Sequence, residues 1–192
     1  SFYQIYFVFC DSCFFIQQAL AFFIALCYTV SKGFCRTKAE RKEIHMRQYD
    51  IAVAKSRHDK TLRNTSVEWA ELARRLEKTT KTPETLAEYK AMPKERQGEI
   101  KDVGGFVGGY LNAGSRKTGN VVYRSILSLD LDEASTTIWD EFTLLYDCAA
   151  VVYSTHKHTA DKPRVRIVIP LSRDVQIDEY EAIARKVAEH IG

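Results

Sequence analysis

The strongest constraint on the fold is a succession of strand and helix periodicities in the last part of the chain. Val121–Asp132 alternates apolar and polar residues as a strand does, and Ser135–Tyr146 repeats its apolar residues at helical spacing. Two further strands are predicted over Ala149–Thr155 and Arg164–Pro170, followed by a helix over Ile177–Ile191. The order β-α-β-β-α predicts an α+β fold.

Both predicted helices have one apolar face. The first carries Ile138, Phe142 and Leu145, and the apolar positions of the second are Tyr180, Ile183, Ala184, Val187 and Ile191. A split βαβ unit of the ferredoxin-like type has the order βαββαβ. We therefore expect such a unit with its last strand missing, which predicts a module truncated at its C-terminal end.

The region after Met46 is predicted to be a smaller α/β extension. A strand over Tyr49–Ala54 leads through a polar connection, Lys55–Thr65, to a helix over Ser66–Lys78 that Ser66 caps. The predicted apolar face of that helix consists of Val67, Ala70, Ala73 and Leu76. A loop and one or two short polar helices then extend to Ile100.

Four glycines between Asp102 and Gly109 indicate a hairpin or a close approach of two backbone segments, because glycine is disfavoured in a regular helix. The segment contains neither GxxxxGK[ST] nor GxGxxG, so a Walker site is excluded. We interpret these glycines as structural in preference to a direct nucleotide contact.

Residues 1–35 have a different composition from the rest. They contain only two charged side chains, Asp11 and Lys32, but eight of the ten Phe and four of the five Cys. Phe14–Val30 would span about 26 Å as a helix, against about 30 Å for a bilayer core. Two interpretations of residues 1–45 follow. The favoured one is a spurious upstream extension before Met46, and the other is a membrane anchor. Residues 46–192 form the predicted catalytic domain. We expect a cytoplasmic location and no association with a membrane.

Two carboxylates are predicted on one face of the first strand of the β-α-β-β-α unit. Alternation places Asp130 and Asp132 opposite the apolar Leu127, Leu129 and Leu131. Like charges so close repel unless a cation lies between them, and carboxylate oxygens suit Mg²⁺ or Mn²⁺. The alternative is a solvated strand end that precedes a helix.

The two neighbouring strands add further polar residues. If they pair as their connections suggest, Ser154, His156, Arg164 and Arg166 share the face of the two carboxylates. Such a face suits a metal-bound triphosphate, with the arginines, Ser154 and His156 holding phosphates and the carboxylates holding divalent ions.

These motifs, in this order, resemble the archaeo-eukaryotic primase superfamily. The hydrophobic-DxD at Leu129–Asp132, the SxH at Ser154–His156 and the basic strand Lys162–Arg173 are similar to the primase-polymerase domains of phages and plasmids that precede a helicase of the virulence-associated E or D5 type. The resemblance covers roughly residues 48–192, including Lys101–Gly109. It implies an RRM-like core and template-directed synthesis of primers by two-metal nucleotidyl transfer.

The resemblance also implies roles for particular residues. Asp130 and Asp132 match catalytic metal ligands, and Ser154 and His156 match the motif that contacts the incoming NTP or dNTP. Arg164 and Arg166 are assigned to phosphate or template contacts. A third acidic motif of the family would lie beyond Gly192, so the activity of this chain by itself stays open. A single-stranded DNA template and a helicase domain in a longer protein are the implied partners.

Two basic runs are predicted to contact DNA. The first lies within residues 36–66 and the second precedes the strand of Asp130, and a solvated surface is the default interpretation of both. The candidates for DNA contact are Lys55, Arg57, Arg116, Lys117 and Arg124.

Three other functions compete with primer synthesis. A rolling-circle nickase would use His156, His158 and Tyr180, although the charged Lys157 stands where that motif is hydrophobic. A non-catalytic RRM-like nucleic-acid-binding module would show aromatic residues on the active face instead of carboxylates. A membrane-tethered interaction protein depends on Phe14–Val30 alone.

Overall fold

Two antiparallel sheets organise residues 46–117 and 119–192, the part of the chain that the computed structural model describes. The three-stranded sheet consists of β1 (Gln48–Ala54), β2 (Arg63–Glu68) and β3 (Gly105–Val107), in the order β2-β1-β3. The four-stranded sheet consists of β4 (Gly109–Leu111), β5 (Val121–Leu131), β6 (Val151–Ser154) and β7 (Val165–Val175), in the order β4-β5-β7-β6. The predictions for residues 1–45 lie outside the described residues.

Five α-helices occur within the described ranges. They are α1 (Trp69–Leu76), α2 (Leu86–Ala91), α3 (Lys94–Ile100), α4 (Ile138–Leu145) and α5 (Ile177–Ile191). None of these helices is long and apolar enough to cross a membrane. The fold is therefore mixed α+β, as predicted, and the order β5-α4-β6-β7-α5 is confirmed.

One face of the four-stranded sheet is covered by α4 and α5. Leu127 of β5 and Ile167 and Ile169 of β7 are fully buried there against Phe142 and Val187. Burial of such side chains stabilises each by about 1.5–3 kcal/mol relative to exposure, which makes this cluster the main core of the β5–α5 unit.

The other face of the same sheet packs against the three-stranded sheet over part of its length. Ile126, Val151 and Val168 are buried there together with Tyr49 and Ile51 of β1. This second cluster fixes the position of the three-stranded sheet over the first half of β5.

The first helix begins later than predicted, and Ser66 does not cap it. Residues 63–68 form β2, where Ser66 is the register partner of Asp50 and Val67 is a buried strand residue. The buried face of α1 consists of Trp69, Leu72 and Ala73, whereas Ala70 is exposed. The prediction was wrong because the apolar spacing around Val67 fits both a helix and a strand. Pairing with β1 stabilises the strand.

The predicted apolar face of α4 is wrong at Leu145, because this residue is 53% exposed. Helix α4 ends at this residue, and the extended Tyr146 packs against Phe142 in its place, with ring centroids 5.2 Å apart. Ile138 and Phe142 lie in the core as predicted.

The glycine segment carries the chain from one sheet to the other. β3 pairs with β1, β4 pairs with β5, and Gly108 lies between them. A Cβ atom at Gly108 would lie 2.7 Å from the Cβ and the carbonyl oxygen of Ile126. The close backbone approach predicted for this segment is therefore confirmed.

Candidate functional site

Asp130 and Arg166 form a cross-strand pair on β5 and β7. They are register partners, and Arg166 donates from Nε to Oδ1 of Asp130 at 2.5 Å and from Nη2 to Oδ2 at 2.9 Å. This two-bond geometry is the strong form of a guanidinium–carboxylate contact. The hydrogen bonds to Asp130 raise the pKa of Arg166 above its ordinary value, so this side chain is always charged.

A second acid–arginine pair lies two residues further along. Asp132, just after β5, forms an ion pair with Nη2 of Arg164, just before β7. We call these four residues the acid–arginine cluster. The side chains of Asp130 and Asp132 are 58% and 70% exposed, so both carboxylates remain accessible to a ligand. The predicted repulsion between the two carboxylates is thus offset by two guanidinium groups.

Tyr153 of β6 is a member of this site that sequence reasoning missed. It is the register partner of Arg166, and its hydroxyl accepts a hydrogen bond from Nη1 of Arg166 at 3.2 Å. Burial raises the pKa of Tyr153, so its hydroxyl stays protonated. In the sequence, alternation along β6 places Val151 and Tyr153 on the same face. This does not identify Tyr153 as a site residue unless the register of β6 on β7 is known.

Ser154 does not share the face of the two carboxylates, contrary to expectation. It pairs with Val165, the partner of Leu131, whereas Tyr153 pairs with Arg166, the partner of Asp130. Successive strand residues point to opposite faces, so Ser154 lies on the helix-covered side. The predicted common face is therefore wrong for Ser154, and its nucleotide contact stays a prediction.

His156 lies beyond the end of β6 and contacts α2. Its ring centroid is 4.1 Å from that of Tyr89, which is itself only 1% exposed. Burial lowers the pKa of His156 below its ordinary value, against the opposing effect of Glu84. The imidazole is therefore neutral at pH 7 and offers a hydrogen bond rather than a charge.

The space beside the two carboxylates is open to a small ligand. A cavity of about 280 Å³ is bordered by Asp130, Asp132 and Glu133 and, from α5, by Ala188 and Ile191. Within residues 46–117 and 119–192, no group of three or more His, Cys, Asp or Glu is arranged to hold a metal ion.

The five residues predicted to contact DNA fall into two places. Nη2 of Arg116 donates to the carbonyl of Arg57 at 3.1 Å, which brings the two basic runs together near Lys55. Arg124 lies elsewhere, with its guanidinium carbon 4.5 Å from the ring centroid of Tyr180. Lys117 is exposed.

The residues of the nickase interpretation contact different partners. His156 packs on Tyr89, and Nδ1 of His158 accepts from the backbone N–H of Arg164 at 3.2 Å. The hydroxyl of Tyr180 accepts from the backbone N–H of Ser128 at 3.4 Å. These partners lie in different parts of the fold, so the geometry gives this interpretation no support.

The chain is thus an α+β protein with an acid–arginine cluster on the open part of its larger sheet. The sequence model of the VapE N-terminal domain family matches residues 36–192, and the chain therefore belongs to this family. This membership is consistent with a phage- or plasmid-type replication protein. No curated protein and no solved structure matches the chain.

Proposed function

We propose that this chain is the nucleotidyl-transfer module of a phage- or plasmid-type replication protein, a DNA primase or primase-polymerase with an RRM-like core. The observation that carries the proposal is the acid–arginine cluster, which offers two accessible carboxylates and two guanidinium groups at one end of β5 and β7. Domains of this family are linked to helicase-containing replication proteins, so a helicase is the proposed partner in a longer protein.

The two carboxylates fit a divalent cation in their chemistry. Asp130 in β5 and Asp132 just after it supply hard oxygen ligands two residues apart, and Mg²⁺ typically binds through one or two carboxylates together with substrate phosphates. Such an ion, when bound, would neutralise triphosphate charge and lower the pKa of an attacking hydroxyl. A third protein carboxylate is not required for initial binding, because waters and phosphates complete the shell.

The arginines give the site a second use. Arg164 and Arg166 neutralise the carboxylates in the ligand-free protein, and guanidinium groups bind phosphate with the same two-bond geometry. In the proposed complex each arginine moves from carboxylate to phosphate, which leaves Asp130 and Asp132 free for the cation. The ion pairs must break for this exchange to occur. Breaking them costs little if they are solvent-exposed, because such pairs contribute only about 0–1 kcal/mol each.

Tyr153 is proposed as a positioning residue. Its hydroxyl holds Nη1 of Arg166, and its ring lies 5.9 Å from the guanidinium carbon. The tyrosine therefore limits how far Arg166 can turn away from the strand when the contact with Asp130 is broken.

Calorimetric titration with a nucleoside triphosphate, with and without Mn²⁺, tests the proposal. We expect Mn²⁺-dependent binding by the unmodified chain and its loss in Asp130→Asn. Asp140→Asn is the matched control, because Asp140 is an exposed aspartate on α4 away from the acid–arginine cluster. Binding that is equal in Asp130→Asn and the unmodified chain, or absent from the folded unmodified chain, contradicts the proposed site.

A further inference from the structure

Four lysines gather beside the acid–arginine cluster. Lys90 lies in the last turn of α2, Lys94 begins α3, Lys101 follows α3 directly, and Lys157 lies in the loop between β6 and β7. We call these four residues the lysine surface. Lys90, Lys94 and Lys101 are exposed, and Lys157 is half-buried.

Packing between α2, α3 and the β6–β7 loop holds the lysine surface together. Nζ of Lys157 lies 5.8 Å from the ring centroid of Tyr89, the residue before Lys90. The hydroxyl of Tyr89 donates to the carbonyl of Gln97 in α3 at 3.2 Å. The Nε2 of Gln97 in turn donates to the carbonyl of Met92 at 2.8 Å. Both Tyr89 and Gln97 are buried, so the scaffold beneath the lysines is fixed.

The lysines are close enough to repel one another. The pKa of Lys157 is lowered, chiefly by the charge on Lys94, then by partial burial and by the charges on Arg164, Lys101 and Lys90. Arg164 belongs to the acid–arginine cluster, so the two charged regions adjoin.

Among the described residues, the lysine surface has no carboxylate partner in an ion pair. Two carboxylates of this region are Glu84, which acts on His156, and Asp161, whose pKa the charge on Lys90 helps to lower. A fixed group of like charges without partners favours binding of a polyanion.

We infer that the lysine surface binds the phosphate backbone of single-stranded DNA next to the acid–arginine cluster. This inference rests on the proposed function for the choice of a single strand, since a template must pass beside the nucleotide. The surface offers charge but no exposed ring, because Tyr89 is only 1% exposed. Recognition is therefore by phosphate and independent of base sequence.

The inference predicts a defined dependence on salt. Neutralisation of phosphates on a single strand gives a slope of log K against log[salt] of about −0.7 per contact, which is about −2.8 for four lysines. Removing two contacts should reduce the slope by about 1.4 and weaken binding by about 25-fold at about 0.1 M salt.

Fluorescence anisotropy of a labelled oligo(dT), measured with the full chain over a series of NaCl concentrations, tests this. The variant is Lys94→Ala/Lys101→Ala, in which both positions are exposed and the melting temperature is expected to be unchanged. The matched control is Lys78→Ala/Lys81→Ala, which removes the same charge from two exposed lysines between α1 and α2, outside the lysine surface and outside the two basic runs predicted to contact DNA. We expect a weaker, less salt-dependent complex for the variant only.

Three outcomes would overturn the inference. The first is that the control variant weakens oligo(dT) binding as much as the lysine variant does. The second is that the lysine variant leaves the slope of log K against log[salt] unchanged. The third is that the chain binds duplex more tightly than single-stranded oligonucleotide. Asp130→Asn keeps the four lysines and is expected to bind oligo(dT) as the unmodified chain does. If the unmodified chain binds oligo(dT) through the lysine surface but shows no Mn²⁺-dependent nucleotide binding, the proposed function alone fails. If it binds the nucleotide but the lysine variant binds oligo(dT) as tightly as the unmodified chain does, this inference alone fails.

Discussion

Strands β5 and β7 pass through two environments on the sheet face opposite the helices. In the first, Ile126 and Val168 are fully buried against the three-stranded sheet. Four residues along β5 and two back along β7, Asp130 and Arg166 reach solvent and contact each other. We call these regions the covered half and the open half of the face. One strand pair thus supplies packing energy in its covered half and exchangeable charge in its open half.

This difference separates stability from function along the same two strands. Burial of apolar area is non-directional and strong, whereas exposed ion pairs contribute little and can be broken at small cost. A site that must release Asp130 from Arg166 to bind a ligand is therefore best placed where the fold does not depend on that contact. The predictions below probe this separation.

The largest effect is expected in the covered half. Ile126→Ala removes a fully buried side chain and should lower the free energy of unfolding by about 2–5 kcal/mol, measured by urea denaturation. Val122→Ala is the matched control, because Val122 lies on the same strand but is 43% exposed. Its effect should stay within about 0.5 kcal/mol. Equal effects of the two variants would show that the two sheets do not pack at Ile126.

A smaller effect is expected in the open half. A double-mutant cycle of Asp130→Asn and Arg166→Gln should give a coupling energy of about 1 kcal/mol or less in the free energy of unfolding, because the Asp130 side chain is 58% exposed. The measurement is urea denaturation of the four proteins at low salt. A coupling energy of about 3 kcal/mol or more would make the pair part of the structural core and would contradict the proposed exchange of partners.

Local periodicity was sufficient to predict the elements of the β5–α5 unit. Helix α5 was predicted with its observed bounds, and β5 with an end one residue too late, because their apolar spacings fit one period each. Alternation alone also assigned Asp130 to the strand face opposite Leu129, whereas Asp132 lies just beyond the end of β5. These are properties of a single segment, and the sequence of that segment contains them.

Properties that depend on pairing between segments could not be predicted in this way. The register of β6 on β7 places Tyr153, and not Ser154, beside Arg166, although both residues alternate correctly within the strand. The partners of the two carboxylates are arginines 32 and 36 residues further along the chain, which only the pairing of the strands reveals. The lysine surface could not be predicted from the sequence, because Lys157 is far along the chain from α2 and α3.

The smallest effect is expected at His156, just beyond the open half. Its pKa is lowered from the ordinary value of 6.5 because packing on Tyr89 buries the ring and disfavours its charged form. A group whose pKa is lower in the folded protein than in the unfolded chain takes up protons preferentially on unfolding. The contribution of His156 is therefore complete above its unfolded pKa and is lost as the pH falls through that value towards the folded pKa.

Urea denaturation from about pH 7.5 to about pH 5.5 should detect this contribution. The unmodified chain is expected to lose more unfolding free energy over this range than His156→Gln, and the difference between the two isolates the one imidazole. His58→Gln is the matched control, since it removes an exposed imidazole that lies outside the contact with Tyr89. If His156→Gln keeps the full pH dependence, the ring is not buried against Tyr89. The β6–β7 loop would then not be held on α2, and the lysine surface would lose the packing that keeps Lys157 beside Lys90.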